Sequence, residues 1–324
     1  MTDFLVDTPG VYDLPDSVYF SDPCPTPSMS AGNAKTLLAA TPRHAADAHP
    51  RLRLDDLPVD EDDETGGKFD VGKATHAIVT GKGGAIIEIA SMTKDGAASD
   101  SKNTKAWKEG ATAARAAGDT PLLPSEAAKV RLMAEVLDRH LRADPEIGRN
   151  PFADRANNER AMFWRDGPTW FRAKPDAIDY SARIFWDLKT TDSLADPDAW
   201  TKTQIQSTAI DLRAAHYLHG AKRLLGEGWR YVFVVVEAKR PHAISVVELP
   251  SVVLEMGEDK RYRAATAWAR CLALGRWPGW PGGIQRPEVP DFIETQWVSR
   301  RERHPSADIL RAAYEAQAPV RVAR

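Results

Sequence analysis

Ile184-Phe185-Trp186-Asp187-Leu188-Lys189-Thr190-Thr191 has the pattern of a β-strand that starts in the core and then carries two charges. Successive side chains of a strand point to opposite faces of the sheet. Asp187 and Lys189 therefore share one face, while Trp186 and Leu188 point to the other. A buried charge is costly unless it is paired or bound to a cation. The pattern therefore predicts a functional site on this strand.

A second charged segment, Arg172-Ala173-Lys174-Pro175-Asp176, precedes that strand. The same alternation predicts that Arg172, Lys174 and Asp176 lie on one face. Two carboxylates joined by a strand connection, Asp176 and Asp187, can hold one hard cation from two sides. Lys189 is then placed to orient or deprotonate a water molecule while the cation polarises a phosphodiester. The two segments together predict metal-assisted hydrolysis of phosphate esters.

A rival triplet of the form acid-x-Lys, Glu237-Ala238-Lys239, follows the apolar run at residues 232–236. No Pro-Asp pair precedes it on an adjacent strand, whereas the triplet at Asp187 has one at hairpin distance. We therefore interpret the rival as the polar end of a buried strand.

The composition is that of an ordinary globular protein, with 324 residues, 43% hydrophobic and 27% charged. That length suffices for one large or two small domains. The net charge of -3 is uneven, because residues 1–70 hold 14 acidic and 5 basic side chains and the remainder is therefore mildly basic. A mildly basic body is compatible with phosphate binding but does not identify a partner.

Cysteine usage restricts the kind of metal site. Cys24 and Cys271 are the only cysteines and are far apart in the sequence, which excludes a disulfide framework or a four-cysteine cluster within one chain. Oxygen and imidazole ligands favour a hard divalent cation, Mg²⁺ with Mn²⁺ as a substitute. The sequence also lacks an apolar run long enough for a membrane span and a secretory start, so we expect a cytoplasmic protein without membrane contact.

Hydrophobic periodicity divides the chain into three predicted parts. Residues 1–70 form an acidic, partly irregular segment with a short helix at 28–40 and an acidic loop at 60–64. The main α/β domain covers 71–290, and residues 291–324 form a helical tail. Within the main domain we predict helices ending at Gly81, over 105–117, from Ser125, over 199–225 and over 261–274, and strands over 85–90, 160–165, 169–173, 183–190, 229–236 and 243–249.

At these residues the chain resembles the RecE-like (exonuclease VIII type) PD-(D/E)xK exonucleases of phages and prophages, relatives of the RecB nuclease domain and of lambda exonuclease. The resemblance extends from about residue 28 to residue 280. Its pieces are Pro27-Ser28-Met29-Ser30, Gly72-Lys73-Ala74-Thr75-His76-Ala77, Gly118-Asp119-Thr120-Pro121-Leu122-Leu123, residues 159–164, Arg172 to Asp176, residues 186–191 and residues 214–220. It implies a restriction-endonuclease-like core, a central mixed β-sheet flanked by helices, which the predicted order of helices and strands also matches.

The resemblance also implies roles for individual residues. His76, Asp176 and Asp187 correspond to metal ligands, the backbone carbonyl of Leu188 completes the set, and Lys189 corresponds to the catalytic lysine. Glu159 matches a recurrent glutamate, a candidate for a contact behind the ligands or for a second metal ion.

The chain departs from the family in the helix that follows the catalytic strand. Where these enzymes often have Gln-x-x-x-Tyr, this sequence has Arg213 and Tyr217, one helical turn apart on one face. An arginine can bind a backbone phosphate with two hydrogen bonds. We therefore predict DNA contacts for Arg213 and Tyr217, together with Arg172 and Lys174. The alternative for the first two is an exposed arginine beside a half-buried tyrosine. Among the tryptophans, Trp277 and Trp280 are the better candidates for stacking on bases.

The activity implied by the resemblance is 5′ to 3′ degradation of linear double-stranded DNA that leaves 3′ single-stranded overhangs for recombination. It further implies a ring-like trimer or tetramer and a single-strand annealing recombinase as partner in a bacterial host cell. Two alternatives stay open at this point. One is an endonuclease or single-strand nuclease with the same centre, and the other is a non-catalytic protein that binds DNA ends on the same fold.

Overall fold

The computed structural model describes residues 5–53, 67–92, 98–303 and 312. The acidic loop predicted at residues 60–64 and the tail beyond residue 303, except residue 312, lie outside this part. The chain divides into two units, Met1–Gly279 and Trp280–Arg324. The second unit contains one described helix, which is defined below.

The N-terminal segment contains more regular structure than the sequence predicts. Its elements are strand β1 (Gly10–Tyr12) and helices α1 (Asp16–Phe20), α2 (Ala31–Ala39) and α3 (Pro42–Asp47). The predicted helix at 28–40 corresponds to α2, in which Ser30 and Asn33 form a reciprocal capping box. The other two helices, of five and six residues, are too short to show helical periodicity.

The next part of the chain alternates helices with very short strands. Helix α4 ends at Thr80, one residue before Gly81, as predicted, and α6 begins beside Ser125. The elements are α4 (Gly67–Thr80), β2 (Ile86–Glu88), β3 (Ser91–Met92), β4 (Ala98–Ser99), α5 (Lys105–Ala116), β5 (Thr120–Leu122) and α6 (Pro124–Ala143).

The remaining elements include the strands that position the site. They are β6 (Ala161–Asp166), β7 (Thr169–Ala173), β8 (Ala177–Asp179), β9 (Ile184–Thr191), α7 (Pro197–Ser207), α8 (Ile210–Leu224), β10 (Arg230–Glu237), β11 (Ile244–Glu248), α9 (Ser251–Leu274) and α10 (Asp291–Arg303). Strand β8, with three residues, is absent from the sequence-based prediction. The tail helix α10 belongs to the second unit.

Among its described residues, the main unit contains two β-sheets of more than two strands. One has the order β1-β6-β7, so the N-terminal segment supplies one of its edges. The other has the order β11-β10-β9-β8, in which β9 and β10 are parallel and the outer pairs antiparallel. The mixed sheet and its flanking helices confirm the predicted α/β, restriction-endonuclease-like class.

Strand β10 is buried on both faces, which explains its continuous apolar sequence. On one face Tyr231, Phe233 and Val235 pack in the same core cluster as residues of α8 and α9. On the other face the alternate valines, Val232 and Val234 among them, pack with residues of α6. Because Asp187 pairs in register with Phe233 on the neighbouring strand, its carboxylate enters the first of these layers.

The single helix predicted over residues 199–225 is wrong, because the structure has two helices there. Ala209 adopts a left-handed conformation, with φ of 55°, between α7 and α8. The flanking sequence contains neither Gly nor Pro, the residues that usually mark such a turn. Helix α9 also starts ten residues before its predicted beginning and packs closely on α8. A Cβ atom on Gly257 would lie 2.1 Å from the carbonyl oxygen of Asp211.

None of the helices in the described residues is both long enough and apolar enough to cross a bilayer.

Candidate active site

Asp187 lies at the centre of the four-stranded sheet and is 1% exposed. Its carboxylate contacts the ammonium of Lys189 and accepts a hydrogen bond from the hydroxyl of Tyr231. A guanidinium nitrogen of Arg213 lies 3.6 Å away. Sequence reasoning missed Tyr231 because it stands in an apolar run. Its position could have indicated the contact. Asp187 pairs in register with Phe233, and Tyr231 lies two residues before Phe233, so Tyr231 and Asp187 share one face of the sheet.

Asp176 lies between β7 and β8, immediately before β8 begins. One carboxylate oxygen accepts a hydrogen bond of 2.6 Å from the backbone N–H of Leu188, and the other lies 2.9 Å from Nε2 of His76. Burial alone raises the pKa of Asp176, but His76, Lys189 and the Leu188 N–H outweigh it and lower that pKa to about 2. Asp176 is therefore an ionised carboxylate at neutral pH, tied to the strand that carries Lys189.

His76 lies between two carboxylates. Its Nδ1 is 3.2 Å from a carboxylate oxygen of Glu159, and its Nε2 faces Asp176. Burial lowers the pKa of His76, but the two carboxylates overcome this effect and raise it to about 10. Each ring nitrogen is thus directed to one acid.

Glu159 is fixed by contacts on both sides and by its backbone. Its carboxylate accepts a hydrogen bond from the hydroxyl of Thr80 at 3.2 Å and lies 2.6 Å from the ammonium of Lys174. Its backbone N–H donates to the carbonyl of Asp176 at 3.1 Å, and its φ of 50° places it in the left-handed region. Burial raises the pKa of Glu159, but His76 and Lys174 lower it overall. Glu159 is thus a charged support behind His76.

Gly72 allows helix α4 to approach strand β9. A Cβ atom at this position would lie 3.2 Å from the hydroxyl oxygen of Thr190, which is a tight contact. His76 follows four residues later on the same face of the helix. The close approach at Gly72 therefore brings the imidazole to the carboxylates on the sheet.

A cavity of about 810 Å³ opens above this cluster. Asp187 lies beneath its floor, in contact with Lys189. All the other predicted site residues line the cavity: His76, Glu159, Arg172, Lys174, Asp176, Leu188, Lys189, Arg213 and Tyr217. The structure therefore brings together residues from α4, α8, β7, β9 and the connections on either side of the β6–β7 hairpin.

Strand β7 ends at Ala173, as predicted, so Lys174 and Asp176 lie beyond it and strand alternation does not explain how they are placed relative to Arg172. Arg172 is 5% exposed, and its guanidinium lies 3.0 Å from Asp22 and donates to Ser28. These contacts anchor the N-terminal segment, and Arg172 also lines the cavity. The ammonium of Lys174 contacts Asp16 and Glu159, so its charge is balanced within the protein.

Arg213 and Tyr217 both face the cavity, one turn apart on α8 as predicted. The Arg213 guanidinium lies 6.0 Å from the centre of the Tyr217 ring, and its side chain is 38% exposed. The Tyr217 hydroxyl donates to the backbone carbonyl of Lys174 at 3.2 Å. The positive charge of Arg213 is therefore accessible from the cavity, whereas the hydroxyl of Tyr217 is bonded within the protein.

The rival triplet does not belong to this cluster. Glu237 is buried, and its carboxylate accepts a hydrogen bond of 2.8 Å from the backbone N–H of Ala195. Lys239 is exposed, and neither residue lines the cavity. This geometry agrees with its interpretation as the polar end of a strand.

The donor set suits a hard divalent cation, since it combines two carboxylates, one imidazole and one backbone carbonyl. The Lys189 ammonium contacts the Asp187 carboxylate and lies 3.4 Å from the Leu188 carbonyl oxygen. A positive charge thus already lies between two of these donors. Across the described residues, no group of three or more His, Cys, Asp and Glu side chains is arranged to hold a metal ion. His76 and Lys189 contact the acids directly.

Comparisons with known proteins identify the fold family. Residues 90–286 match the family model described as a PDDEXK-like domain of unknown function, DUF3799. The matched region includes Glu159, Asp176, Asp187 and Lys189 but begins after His76. No curated protein matches the sequence.

Among solved structures, a protein from Eubacterium rectale described as a candidate exonuclease aligns with a TM-score of 0.49 and 11% sequence identity. The alignment covers 81% of this chain and 91% of that one. The family model supports the PD-(D/E)xK superfamily and does not narrow it to the RecE-like enzymes. Because the family model covers more than half of the sequence, the chain belongs to the DUF3799 family of PDDEXK-like domains.

Proposed function

We propose that this protein is a metal-dependent deoxyribonuclease with Asp176, Asp187 and Lys189 at its active centre. The observation that carries the proposal is the position of Lys189, whose ammonium lies against the buried Asp187 at the floor of a cavity that Asp176 also lines. Buried carboxylates beside a lysine are costly in a structural core. Their place at the base of an open cavity is instead suited to chemistry on a phosphodiester.

Asp176, Asp187, His76 and the carbonyl of Leu188 would hold Mg²⁺, for which Mn²⁺ is a chemical substitute. When bound, such an ion polarises the phosphodiester and lowers the pKa of water. Lys189 would orient the attacking water or take part in its proton transfer. Arg213 would bind a phosphate oxygen through its guanidinium. Glu159 would hold the His76 ring in place through Nδ1.

The finer assignment is an exonuclease that degrades linear duplex DNA from the 5′ end. It rests on the sequence motifs that resemble the RecE-like enzymes. On the same basis we propose a ring-like trimer or tetramer and a single-strand annealing recombinase as partner. The side chains of the centre do not by themselves select between an exonuclease, an endonuclease and a single-strand nuclease.

Substrate topology tests this proposal. Purified protein and an Asp187→Asn variant are incubated with linear, nicked and covalently closed duplex DNA, with Mg²⁺ or with a chelator. The proposal predicts Mg²⁺-dependent loss of linear DNA alone, with nucleotides released first from a 5′-labelled end, and no loss with the variant. Cutting of closed circles would contradict the exonuclease assignment and indicate an endonuclease. Tight binding to DNA ends without any cleavage would contradict the nuclease proposal and indicate a protein that binds DNA ends.

A further inference from the structure

Two exposed phenylalanine rings line the same cavity as the carboxylate cluster. Phe20, at the end of α1, is 61% exposed, and Phe69, in the first turn of α4, is 47% exposed. Single exposed apolar side chains are ordinary on protein surfaces. Two aromatic rings in one cavity whose other walls carry charged groups are a different case, because they provide flat apolar faces beside the proposed reaction centre.

Each ring has a lysine ammonium beside it. The ammonium of Lys73 lies 4.5 Å from the centre of the Phe69 ring, and that of Lys174 lies 5.9 Å from the centre of the Phe20 ring. Lys174 is already paired with Asp16 and Glu159. Lys73 also lines the cavity, so Phe69 and Lys73 together offer a face for a base and a charge for the adjoining phosphate.

The position of Phe69 along α4 relates it to the reaction centre. His76 follows it by seven residues, which corresponds to about 10 Å along a helix axis and two turns on one face. That separation is of the order of one or two nucleotides. The cavity volume of about 810 Å³ falls in the range of small-ligand sites, about 300 to 1,000 Å³. It suits a few nucleotides of one strand better than a duplex.

We propose that Phe20 and Phe69 form a stacking subsite for unpaired bases, with Lys73 on the phosphate between them and the carboxylates. The strand that reaches the carboxylates is then single-stranded at this point, whether it enters as single-stranded DNA or is separated from a duplex end. This inference rests on the proposed nuclease function and adds the part of the substrate that the cavity recognises. The sequence instead pointed to Trp277 and Trp280. Trp277 packs against Trp268 in the structure, and Trp280 is 69% exposed in the second unit.

Binding without cleavage tests the subsite independently of catalysis. A fluorescein-labelled oligothymidylate of about 20 nucleotides, longer than usual single-strand sites, is titrated with protein in chelator, and its fluorescence anisotropy is measured. Phe20→Ala and Phe69→Ala should each weaken binding about tenfold, because stacking of one base has an effect of this size. Phe69→Trp should retain affinity. Tyr262→Ala, at an aromatic ring 64% exposed outside the cavity, is the matched control and should bind as wild type.

An abasic oligonucleotide of equal length and charge separates stacking from electrostatics. Wild type should bind it as weakly as the Phe20→Ala/Phe69→Ala protein binds oligothymidylate, and the double variant should not distinguish the two strands. Equal affinity of wild type for both strands, or unchanged binding by both alanine variants, overturns the inference. Cleavage in Mg²⁺ is scored separately. Base-dependent binding without cleavage would contradict the proposed nuclease function and support the stacking subsite. Cleavage without base-dependent binding would support the nuclease function and contradict the subsite.

Discussion

The hydroxyl of Tyr231 donates a hydrogen bond to the carboxylate of Asp187 across two parallel strands that pair in register. Tyr231 is 2% exposed, and burial and the Asp187 charge raise its pKa well above the ordinary value. It therefore remains a hydrogen-bond donor at any pH at which the protein is handled. Tyr231 orients the Asp187 carboxylate without itself reaching the cavity.

Tyr231→Phe should reduce Mg²⁺-dependent DNA cleavage about 10- to 100-fold, because contacts behind a metal ligand have effects of this size. The free energy of unfolding should fall by only about 1 kcal/mol. Single-turnover cleavage and denaturant unfolding measure the two effects. Tyr12→Phe is the control, since its hydroxyl donates to the backbone carbonyl of Thr8 and the residue does not line the cavity. Equal loss in both variants would contradict the role given to Tyr231.

Glu159→Gln should increase the Mg²⁺ concentration needed for half-maximal cleavage about tenfold or more. The variant keeps the size of the side chain but removes the charge that faces Nδ1 of His76. At saturating Mg²⁺ the rate should largely recover. Glu88→Gln, which removes a charge paired with Arg131 outside the cavity, should leave the Mg²⁺ dependence unchanged. A loss in Glu159→Gln that Mg²⁺ does not restore would contradict this account.

Asp22→Asn should destabilise the protein at neutral pH by about 3 kcal/mol, because it leaves the buried Arg172 without its ion-pair partner. Asp22 has a positive φ of 61°, a conformation that asparagine tolerates well, so the backbone is not the cause. Urea unfolding at neutral pH gives the difference between the two proteins.

The difference in stability between wild type and Asp22→Asn should also depend on pH. Burial raises the pKa of Asp22, but the hydrogen bond from His49, the charge of Arg172 and contacts with Ser28 lower it below the ordinary value. A lowered pKa stabilises the fold at pH above the unfolded value of about 4 and ceases to do so as the pH falls through the folded value. The wild-type advantage should therefore shrink below about pH 4. An advantage that does not change with pH would contradict the assignment.

Gly257→Ala should destabilise the fold by about 3 kcal/mol, because its Cβ would meet the backbone of α8 at 2.1 Å. Gly32→Ala is the matched control, since the nearest atom to its Cβ is Oγ of Ser30 at 3.6 Å. In helix α2 it should be neutral or stabilise by up to about 1 kcal/mol. Chemical denaturation compares the two, and similar values would mean that α9 does not pack on α8 as described.

The sequence predicts β9, which carries Asp187, and the buried strand β10. Both predictions are possible because hydrophobic periodicity and apolar content are local properties of the sequence. Sequence reasoning placed Asp176 correctly beside β9 from the hairpin spacing alone. The role of Arg172 could not be predicted, because its partner Asp22 lies 150 residues away in the sequence. The break at Ala209 and the Tyr231 contact likewise depend on packing between distant elements. Short helices such as α1 leave no periodic signal, so the sequence does not indicate a role for Phe20.

The most direct test of the nuclease proposal compares two lysines of the same local pattern. Single-turnover cleavage of linear duplex DNA in Mg²⁺ is measured for wild type, Lys189→Ala and Lys239→Ala, with thermal unfolding to confirm that each protein is folded. Lys189→Ala should reduce the rate by about 10² to 10⁴, and Lys239→Ala should cleave as wild type. Wild-type cleavage by Lys189→Ala, or an equal loss in both variants, would contradict the assignment of the active centre.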